Sequence, residues 1–277
     1  MVDSLADRFD VLVVDDGSTD GTSWALKQRE SIALVTHAQN MGYAASLLRL
    51  FEQCRSEYLL VAADDDTAIP EEIERLARWL DESKPDFMST QWRRKDGTFA
   101  RGQDSLRPIS TGEIHNSASH APGLVYRTAA VREILPAVAE FVAEQEESAL
   151  VYPQVLTVLA LASRSTDIWW WPGAPIVAGG GLPSGIRSTT GQPYFSSTAR
   201  VAQSLSFLRF LERIEGNDAL RQLYAHRLLE RSFGLLATRT RLEVTQIAAE
   251  QFMSSSLRVA WRLLLGATVR RALRRPC

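Results

Sequence analysis

Short apolar runs and helical patterns alternate along the first part of the chain. Residues 11–14 read Val-Leu-Val-Val and end abruptly in Asp15, Asp16 and a Gly-Ser-Thr-Asp-Gly turn. A run of β-branched and leucine residues that stops at a turn predicts a buried strand, with a helix starting soon after. Ile32–Thr36 and Tyr58–Ala63 have the same character, so strands and helices alternate as in βαβ units.

Helical spacing separates these runs and dominates the end of the chain. Tyr43–Cys54 carries apolar residues three and four positions apart, and Pro70 followed by two glutamates predicts the start of another helix. From about Tyr194 onward, apolar residues again recur at helical spacing. The pattern predicts an α/β fold over residues 1–192, with a mostly parallel sheet flanked by helices, and a helical C-terminal extension over residues 193–277.

Composition narrows the class of protein. The 277 residues are 45% hydrophobic and 23% charged, with a formal net charge of −2, which argues against a nucleic-acid binder. Two cysteines provide neither a disulfide framework nor a metal cluster. The start of the chain lacks the apolar core of a signal peptide, and no uncharged apolar run reaches the roughly 18–20 residues of a membrane span. We therefore expect a cytoplasmic protein.

The last segment of the chain has a basic amphipathic pattern. After Glu250 no acidic residue occurs, and apolar residues alternate with arginines: Arg258, Arg262, Arg270, Arg271, Arg274 and Arg275. A helix of this kind can lie on an anionic membrane surface, which would place the protein at the inner face of the cell membrane. The equal alternative is a terminal helix that packs on the domain and turns a solvated basic face outward.

Two of the predicted strands end in clustered carboxylates. Asp15 and Asp16 follow the first strand, and Asp64, Asp65 and Asp66 follow the third. Ligands of open α/β sheets bind outside the carboxyl ends of strands, and clustered anions are costly unless a cation compensates them. A hard divalent cation such as Mg²⁺ or Mn²⁺, held by carboxylates and substrate phosphates, would resolve the repulsion. The alternative is a pair of solvated turns whose carboxylates cap backbone amides.

Taken in order, these motifs resemble those of the family 2 glycosyltransferases, which have the GT-A fold. The motifs are Val-Val-Asp-Asp-Gly-Ser-Thr-Asp-Gly-Thr, then Asn40-x-Gly42 before a helix, then a strand ending in Asp-Asp-Asp with a proline behind it. The resemblance covers roughly residues 5–160. It implies that Asp16, with Asp15 beside it, contacts the nucleotide base of a sugar donor, and that Asn40 and Gly42 belong to the same site.

The same resemblance implies a metal-binding role for the second acidic cluster. Counting back from Pro70 places Asp64 on the sugar-nucleotide side and Asp65 on the divalent metal that holds the diphosphate, with Asp66 as a close alternative ligand. The usual Asp-x-Asp pattern is equally met by Asp64 and Asp66. The implied cofactor is Mn²⁺ or Mg²⁺.

An acidic pair later in the chain is the candidate general base. Glu146 and Glu147 precede an apolar helix, at the place where the family carries an acidic pair. An acceptor hydroxyl must lose a proton as it attacks the anomeric carbon, and a carboxylate can accept that proton. The resemblance implies that Glu147 is the general base, with Glu146 as the alternative. The structural alternative is an ordinary acidic helix start, favoured by the helix dipole.

As a whole, the resemblance implies a metal-dependent, inverting glycosyltransferase. Its donor would be a UDP-, dTDP- or GDP-sugar, and its acceptor a glycan or a lipid-linked molecule of bacterial surface polysaccharide biosynthesis. The family's usual first strand, of the type Val-Ile-Ile-Pro-Thr-Tyr-Asn, is not found ahead of the Asp-Asp-Gly-Ser strand. Two other functions stay open. One is a non-catalytic partner subunit with a truncated domain; the other, with less support, is a sugar nucleotidyltransferase.

Overall fold

The computed structural model describes residues 5–179 and, beyond them, 193–194, 196–214, 218–219, 221–223, 225–226 and 229. The basic segment after Glu250 lies outside the described residues. Among the helices of the described part, none combines the length and the apolar character that crossing a membrane demands. The peripheral membrane contact and the inner-face location stay predictions.

The chain starts with the βαβ arrangement that the sequence predicts. β1 (Leu12–Asp15), α1 (Thr22–Lys27) and β2 (Ala33–Thr36) follow one another, and β1 pairs with β2 in parallel. α2 (Tyr43–Gln53) packs against β1 and buries one face, made of Ala44, Leu47, Leu48 and Phe51. β1 and β2 form a two-stranded sheet of their own. The expectation of a missing first strand stays a prediction.

The remaining strands of the described residues build one mixed sheet. They are β3 (Tyr58–Leu60), β4 (Thr67–Ala68), β5 (Phe87–Arg93), β6 (Phe99–Arg101), β7 (Arg107–Pro108), β8 (Leu124–Arg127) and β9 (Ile168–Val177). The order is β3-β8-β5-β9-β4, with β6 added to β5 and β7 to β9. β5 and β9 run parallel, and the other neighbours are antiparallel.

The α/β class is confirmed, whereas the expectation of a mostly parallel sheet is corrected to a mixed one. Parallel neighbours require a crossover of about a dozen or more residues, usually a helix. Several helices lie between β5 and β9, which run parallel. In contrast, no long helix lies between β5 and β8: this segment holds the short strands β6 and β7, a 3₁₀ turn (Thr111–Glu113) and the short helix α4 (Ile114–Ser117). The chain therefore returns in the antiparallel direction.

Five longer or site-forming helices complete the described fold. They are α3 (Pro70–Ser83), α5 (Thr128–Ala143), α6 (Glu147–Val151), α7 (Pro153–Arg164) and α8 (Ser197–Arg213). One hydrophobic core joins α2, α5, α7 and α8, and its aromatic members include Phe51, Phe141, Phe207 and Phe210. Burying a side chain of this size stabilises the fold by about 1.5–3 kcal/mol. α8 therefore shares the core of the α/β part, and the boundary between residues 192 and 193 stays a prediction.

Candidate functional site

The loops that follow β1 and β2 pack directly against each other. The carboxylate of Asp16 accepts hydrogen bonds from the backbone N–H groups of Met41, 2.7 Å from Oδ1, and Gly42, 2.9 Å from Oδ2. A Cβ added to Gly17 would lie 2.7 Å from the backbone nitrogen of Asn40, and Gly17 has a φ of +74°, which favours glycine. The structure thus brings the predicted residues Asp16, Asn40 and Gly42 together.

Asp15 ends β1 and is 4% exposed. Its Oδ1 accepts a hydrogen bond from the backbone N–H of Ser18 at 3.1 Å, while its buried Oδ2 accepts none within the described residues. Hydrogen bonding by Ser18 outweighs the effect of burial and lowers the pKa of Asp15. The two neighbouring aspartates therefore differ: Asp16 holds the second loop in place, whereas Asp15 keeps an acceptor atom.

Asp66 anchors the acidic loop that follows β3. It is 6% exposed, and its Oδ2 accepts a hydrogen bond from the backbone N–H of Ala63 at 2.7 Å. Its Oδ1 accepts one from the backbone N–H of Gly179, just beyond β9, at 2.9 Å. Burial, aided by the charges of Asp65 and Asp64, raises the pKa of Asp66 in spite of these two bonds. Asp66 therefore ties the loop to the end of β9.

Asp64 and Asp65 are exposed beside this anchor. Gly179 approaches Asp65 so closely that an added Cβ would lie 2.1 Å from its Cγ and 2.4 Å from its carbonyl oxygen. Within the described residues, no group of three or more His, Cys, Asp or Glu is arranged to hold a metal ion. Mg²⁺, however, is usually held by one or two carboxylates, several waters and substrate phosphates. The exposed carboxylates of Asp64 and Asp65 fit such an ion, whereas both oxygens of Asp66 are committed to backbone amides.

The candidate bases stand at the start of α6, which packs against α8. Glu146 is the N-cap residue of α6 and Glu147 its first residue. Arg209 of α8 donates two hydrogen bonds to Glu146, from Nε to Oε1 at 2.8 Å and from Nη2 to Oε2. Burial by itself would raise the pKa of Glu146, but hydrogen bonds from Arg209 and Ser206 and the guanidinium charge outweigh it and lower the pKa. Glu147, in contrast, is 4% exposed, and these two hydrogen bonds from Arg209 do not involve it.

The start of α2 links the first loop pair to the helices that carry the acidic pair. Tyr43 follows Gly42 directly, and its hydroxyl donates a hydrogen bond of 3.0 Å to Gln154 in the first turn of α7. α6 packs against both α2 and α7. The loops after β1 and β2 and the turn that bears Glu147 are therefore attached to the same group of helices.

Sequence reasoning missed the residues that hold these groups in place. Arg209 and Ser206 contact the residues on either side of Glu147, and Gly179 anchors the acidic loop. An arginine or a serine in a helical pattern carries no signal of such a role. Gly179 offered a better signal, because a glycine at the end of a predicted strand often marks a close backbone approach.

The motifs in the first part of the chain are similar to those of a known protein family. Residues 1–134 match the family model described as glycosyl transferase family 2. This part is nearly half of the chain, and the match confirms the resemblance seen in the sequence.

The matching curated relatives are transferases of one kind. The undecaprenyl-phosphate 4-deoxy-4-formamido-L-arabinose transferase of Pseudomonas paraeruginosa (strain DSM 24068 / PA7) is 29% identical over 129 residues, which cover 45% of this chain and 38% of that protein. Its counterpart in Pseudomonas syringae pv. syringae (strain B728a) is 26% identical over 131 residues, covering 45% and 39%. The match thus spans well under half the length of these relatives.

Solved structures share the fold. S. aureus TarS 1-349 in complex with UDP-GlcNAc has a TM-score of 0.62 at 18% identity, covering 84% of this chain and 68% of that one. The mannosyltransferase PcManGT from Pyrobaculum calidifontis, in complex with GDP-Man and Mn²⁺, has a TM-score of 0.53 at 16% identity, covering 95% and 72%. At these identities the likeness shows the fold, and the GT-A-like architecture is confirmed.

Proposed function

We propose that this chain is a glycosyltransferase that moves a sugar from a nucleotide-diphosphate sugar to a glycan or lipid-linked acceptor. Mn²⁺ or Mg²⁺ would be the cofactor, and the anomeric centre would be inverted. The observation that carries the proposal is the acidic loop, in which Asp66 is anchored to backbone amides and leaves the carboxylates of Asp64 and Asp65 exposed. The match of residues 1–134 to the model of glycosyl transferase family 2 supports the reaction class.

On the donor side, Asp15, Asp16 and the acidic loop have different roles. The buried Oδ2 of Asp15 accepts no hydrogen bond within the described residues, so an N–H group of the base would satisfy it. Asp16 holds the turn containing Asn40 and Gly42, which forms the facing wall of the nucleotide pocket. When bound, the metal would hold the diphosphate and neutralise charge that develops on it as it leaves. Asp65, with the adjoining Asp64, would hold that ion.

On the acceptor side, the base is Glu147 rather than Glu146. Both oxygens of Glu146 accept hydrogen bonds from Arg209, and its lowered pKa makes it a weak base. The carboxylate of Glu147 would take the proton of the acceptor hydroxyl as that oxygen attacks the anomeric carbon. The bond between the anomeric carbon and the diphosphate oxygen breaks in the same step, so the nucleoside diphosphate leaves with the bonding electron pair.

The names of the relatives support one class of acceptor. The curated proteins that match this chain are named as undecaprenyl-phosphate transferases, which supports a lipid-linked acceptor. The structural neighbours were solved with UDP-GlcNAc and with GDP-Man, which supports a nucleotide-diphosphate sugar as donor. A lipid-linked acceptor would place the protein in surface polysaccharide biosynthesis, at the inner face of the membrane.

Calorimetric titration with UDP, dTDP and GDP, each with and without Mn²⁺, tests the donor side. We expect one nucleotide to bind in a metal-dependent way and to lose that binding in Asp65→Ala. The matched control is Asp81→Ala, which removes an exposed aspartate at the end of α3 and should bind like the wild type. A well-folded sample that binds none of the nucleotides would refute the enzyme and leave the non-catalytic partner subunit.

Substitution of Glu147 tests the chemical step. Glu147→Gln keeps the shape of the side chain and removes its basicity, so sugar transfer should fall by about 10²–10⁴-fold. Nucleotide binding measured by calorimetry should stay unchanged. If Glu146→Gln lost the activity instead, the assignment of the base would be reversed.

A further inference from the structure

Residues of α8 form hydrogen bonds with the residues on both sides of Glu147. Before it, the carboxylate of Glu146 accepts the two-pronged hydrogen bond from Arg209. After it, the N–H of Ser148 donates to Oγ of Ser206 at 3.0 Å, and the two serine hydroxyl oxygens lie 2.7 Å apart. Ser206 and Arg209 are three positions apart and therefore neighbours on one face of the helix.

The two contacts differ in burial, and together they fix the turn. Ser148 and Ser206 are 0% exposed, so water does not compete for their hydrogen bonds. The side chain of Glu146 is 15% exposed, and that of Arg209, at the rim, is 41% exposed. Paired bonds from a guanidinium fix the orientation of a carboxylate as well as its position. The first turn of α6 is thus held at two points by one helix.

The other charged side chains around this turn have separate partners. Arg213, one turn further along α8, pairs with Glu144 at 2.6 Å, and these side chains are 45% and 38% exposed. Arg213 is on the same helix as Arg209, and its charge also acts on Glu146, but its hydrogen bond goes to Glu144. Arg213 therefore provides an internal control for the effect of charge alone.

We propose that Ser206 and Arg209 are positioning residues, which hold the turn of α6 so that Glu147 presents its carboxylate to the acceptor hydroxyl. This inference rests on the proposed function of Glu147. α8 lies beyond residues 1–134, the part that matches the family model, so a helix outside that part would complete the setting of the base. A misplacement of about 1 Å in such a group can cost about 10²-fold in rate.

The test compares Arg209→Met with Arg213→Met in the full chain. Hydrogen–deuterium exchange of the amides of residues 146–152 reports on the turn. Release of nucleoside diphosphate from UDP-GlcNAc, dTDP-glucose and GDP-mannose, each with Mn²⁺ and undecaprenyl phosphate as acceptor, reports on turnover. In Arg209→Met we expect exchange of this segment at least about tenfold faster and kcat about 10–100-fold lower, with KM for the donor within about twofold. Arg213→Met should behave like the wild type in both measurements.

Two further variants distinguish positioning from stability. Arg209→Lys keeps the charge and one donor, so it should restore part of kcat. Ser206→Ala removes the second contact and leaves the guanidinium in place, so it should again loosen residues 146–152 and lower kcat. Ser206→Ala also tests the positioning role if Arg209→Met fails to fold.

The outcomes separate the two proposals. Unchanged exchange and unchanged kcat in Arg209→Met and Ser206→Ala would overturn the positioning role, as would an equal loss in Arg213→Met. A wild type that releases no diphosphate from any donor would instead refute the proposed function. In that case the exchange of residues 146–152 still decides whether α8 holds this turn.

Discussion

Asp66 and Glu146 are both largely buried carboxylates with two hydrogen-bonded oxygens, yet their pKa values move in opposite directions. Asp66 accepts from two backbone amides and shares its loop with Asp64 and Asp65, and its pKa is raised. Glu146 accepts from the guanidinium of Arg209, and its pKa is lowered. Burial raises the pKa of both groups; the two amide bonds do not offset it at Asp66, whereas the hydrogen bonds and charge of the guanidinium, with the bond from Ser206, outweigh it at Glu146.

The comparison separates two ways of using a buried acid. Amide donors satisfy the geometry of a carboxylate without balancing its charge, whereas a guanidinium does both. The acidic loop after β3 thus gathers negative charge that a divalent cation would relieve, while the turn of α6 carries its own cation. The first suits a cofactor site, and the second suits a scaffold that holds a base.

Removing the carboxylate of Asp66 should have the largest effect on stability. In Asp66→Ala the amides of Ala63 and Gly179 lose their acceptor, which should lower the free energy of unfolding by about 1–3 kcal/mol. Urea denaturation at neutral pH measures this. Asp65→Ala, an exposed side chain of the same loop, should change it by about 0.5 kcal/mol or less. Equal effects of the two substitutions would remove the distinction between anchor and exposed ligand.

Gly179→Ala tests the close approach that shapes the exposed part of the acidic loop. The new Cβ would lie 2.1 Å from Cγ of Asp65, so the aspartate must move. Metal-dependent nucleotide binding should weaken by about tenfold, or about 1.4 kcal/mol. Gly97→Ala, where nothing lies within 4 Å of the added Cβ, should leave binding unchanged. Unaltered binding in Gly179→Ala would show that the position of Asp65 does not matter for the donor.

The pKa values of Glu146 and Asp66 shift in opposite directions, so the two groups should change the pH dependence of stability with opposite signs. These should be the smallest of the predicted effects. Glu146 has a folded pKa below its ordinary value of 4.5, so it stabilises the fold above pH 4.5 and loses this contribution as pH falls through the folded pKa. Asp66 has a folded pKa above 3.8, so its ionisation costs stability as pH rises through that raised pKa.

Unfolding of Glu146→Gln and Asp66→Asn between about pH 3 and pH 7 measures these contributions. Glu146→Gln should be destabilised at neutral pH, by less than about 1 kcal/mol because the pair is partly exposed, and the loss should shrink in acid. The free energy of unfolding of Asp66→Asn, relative to that of the wild type, should be higher at neutral pH than in acid. The same trend in both variants would contradict the comparison.

Local signals were enough to predict the first elements of the fold. The apolar run before Asp15, the spacing within α2 and the proline that opens α3 each depend on neighbouring residues. The mixed sheet was not predicted, because the pairing of β8 with both β3 and β5 joins segments far apart in sequence. Strand direction there depends on how the chain returns to the sheet.

The sequence by itself determined the resemblance of the first part of the chain to a known family and the three acidic groups at the end of β1, after β3 and at the start of α6. These are motifs of a few residues, and their spacing along the chain carries the information. Only the tertiary structure decided how the members of each group differ. Asp66 anchors its loop because the backbone N–H of Gly179 lies beside it. The negative charge of Glu146 is balanced because Arg209 approaches it from α8. Such differences depend on residues that are distant in sequence, since burial and neighbouring charge arise only when the elements pack.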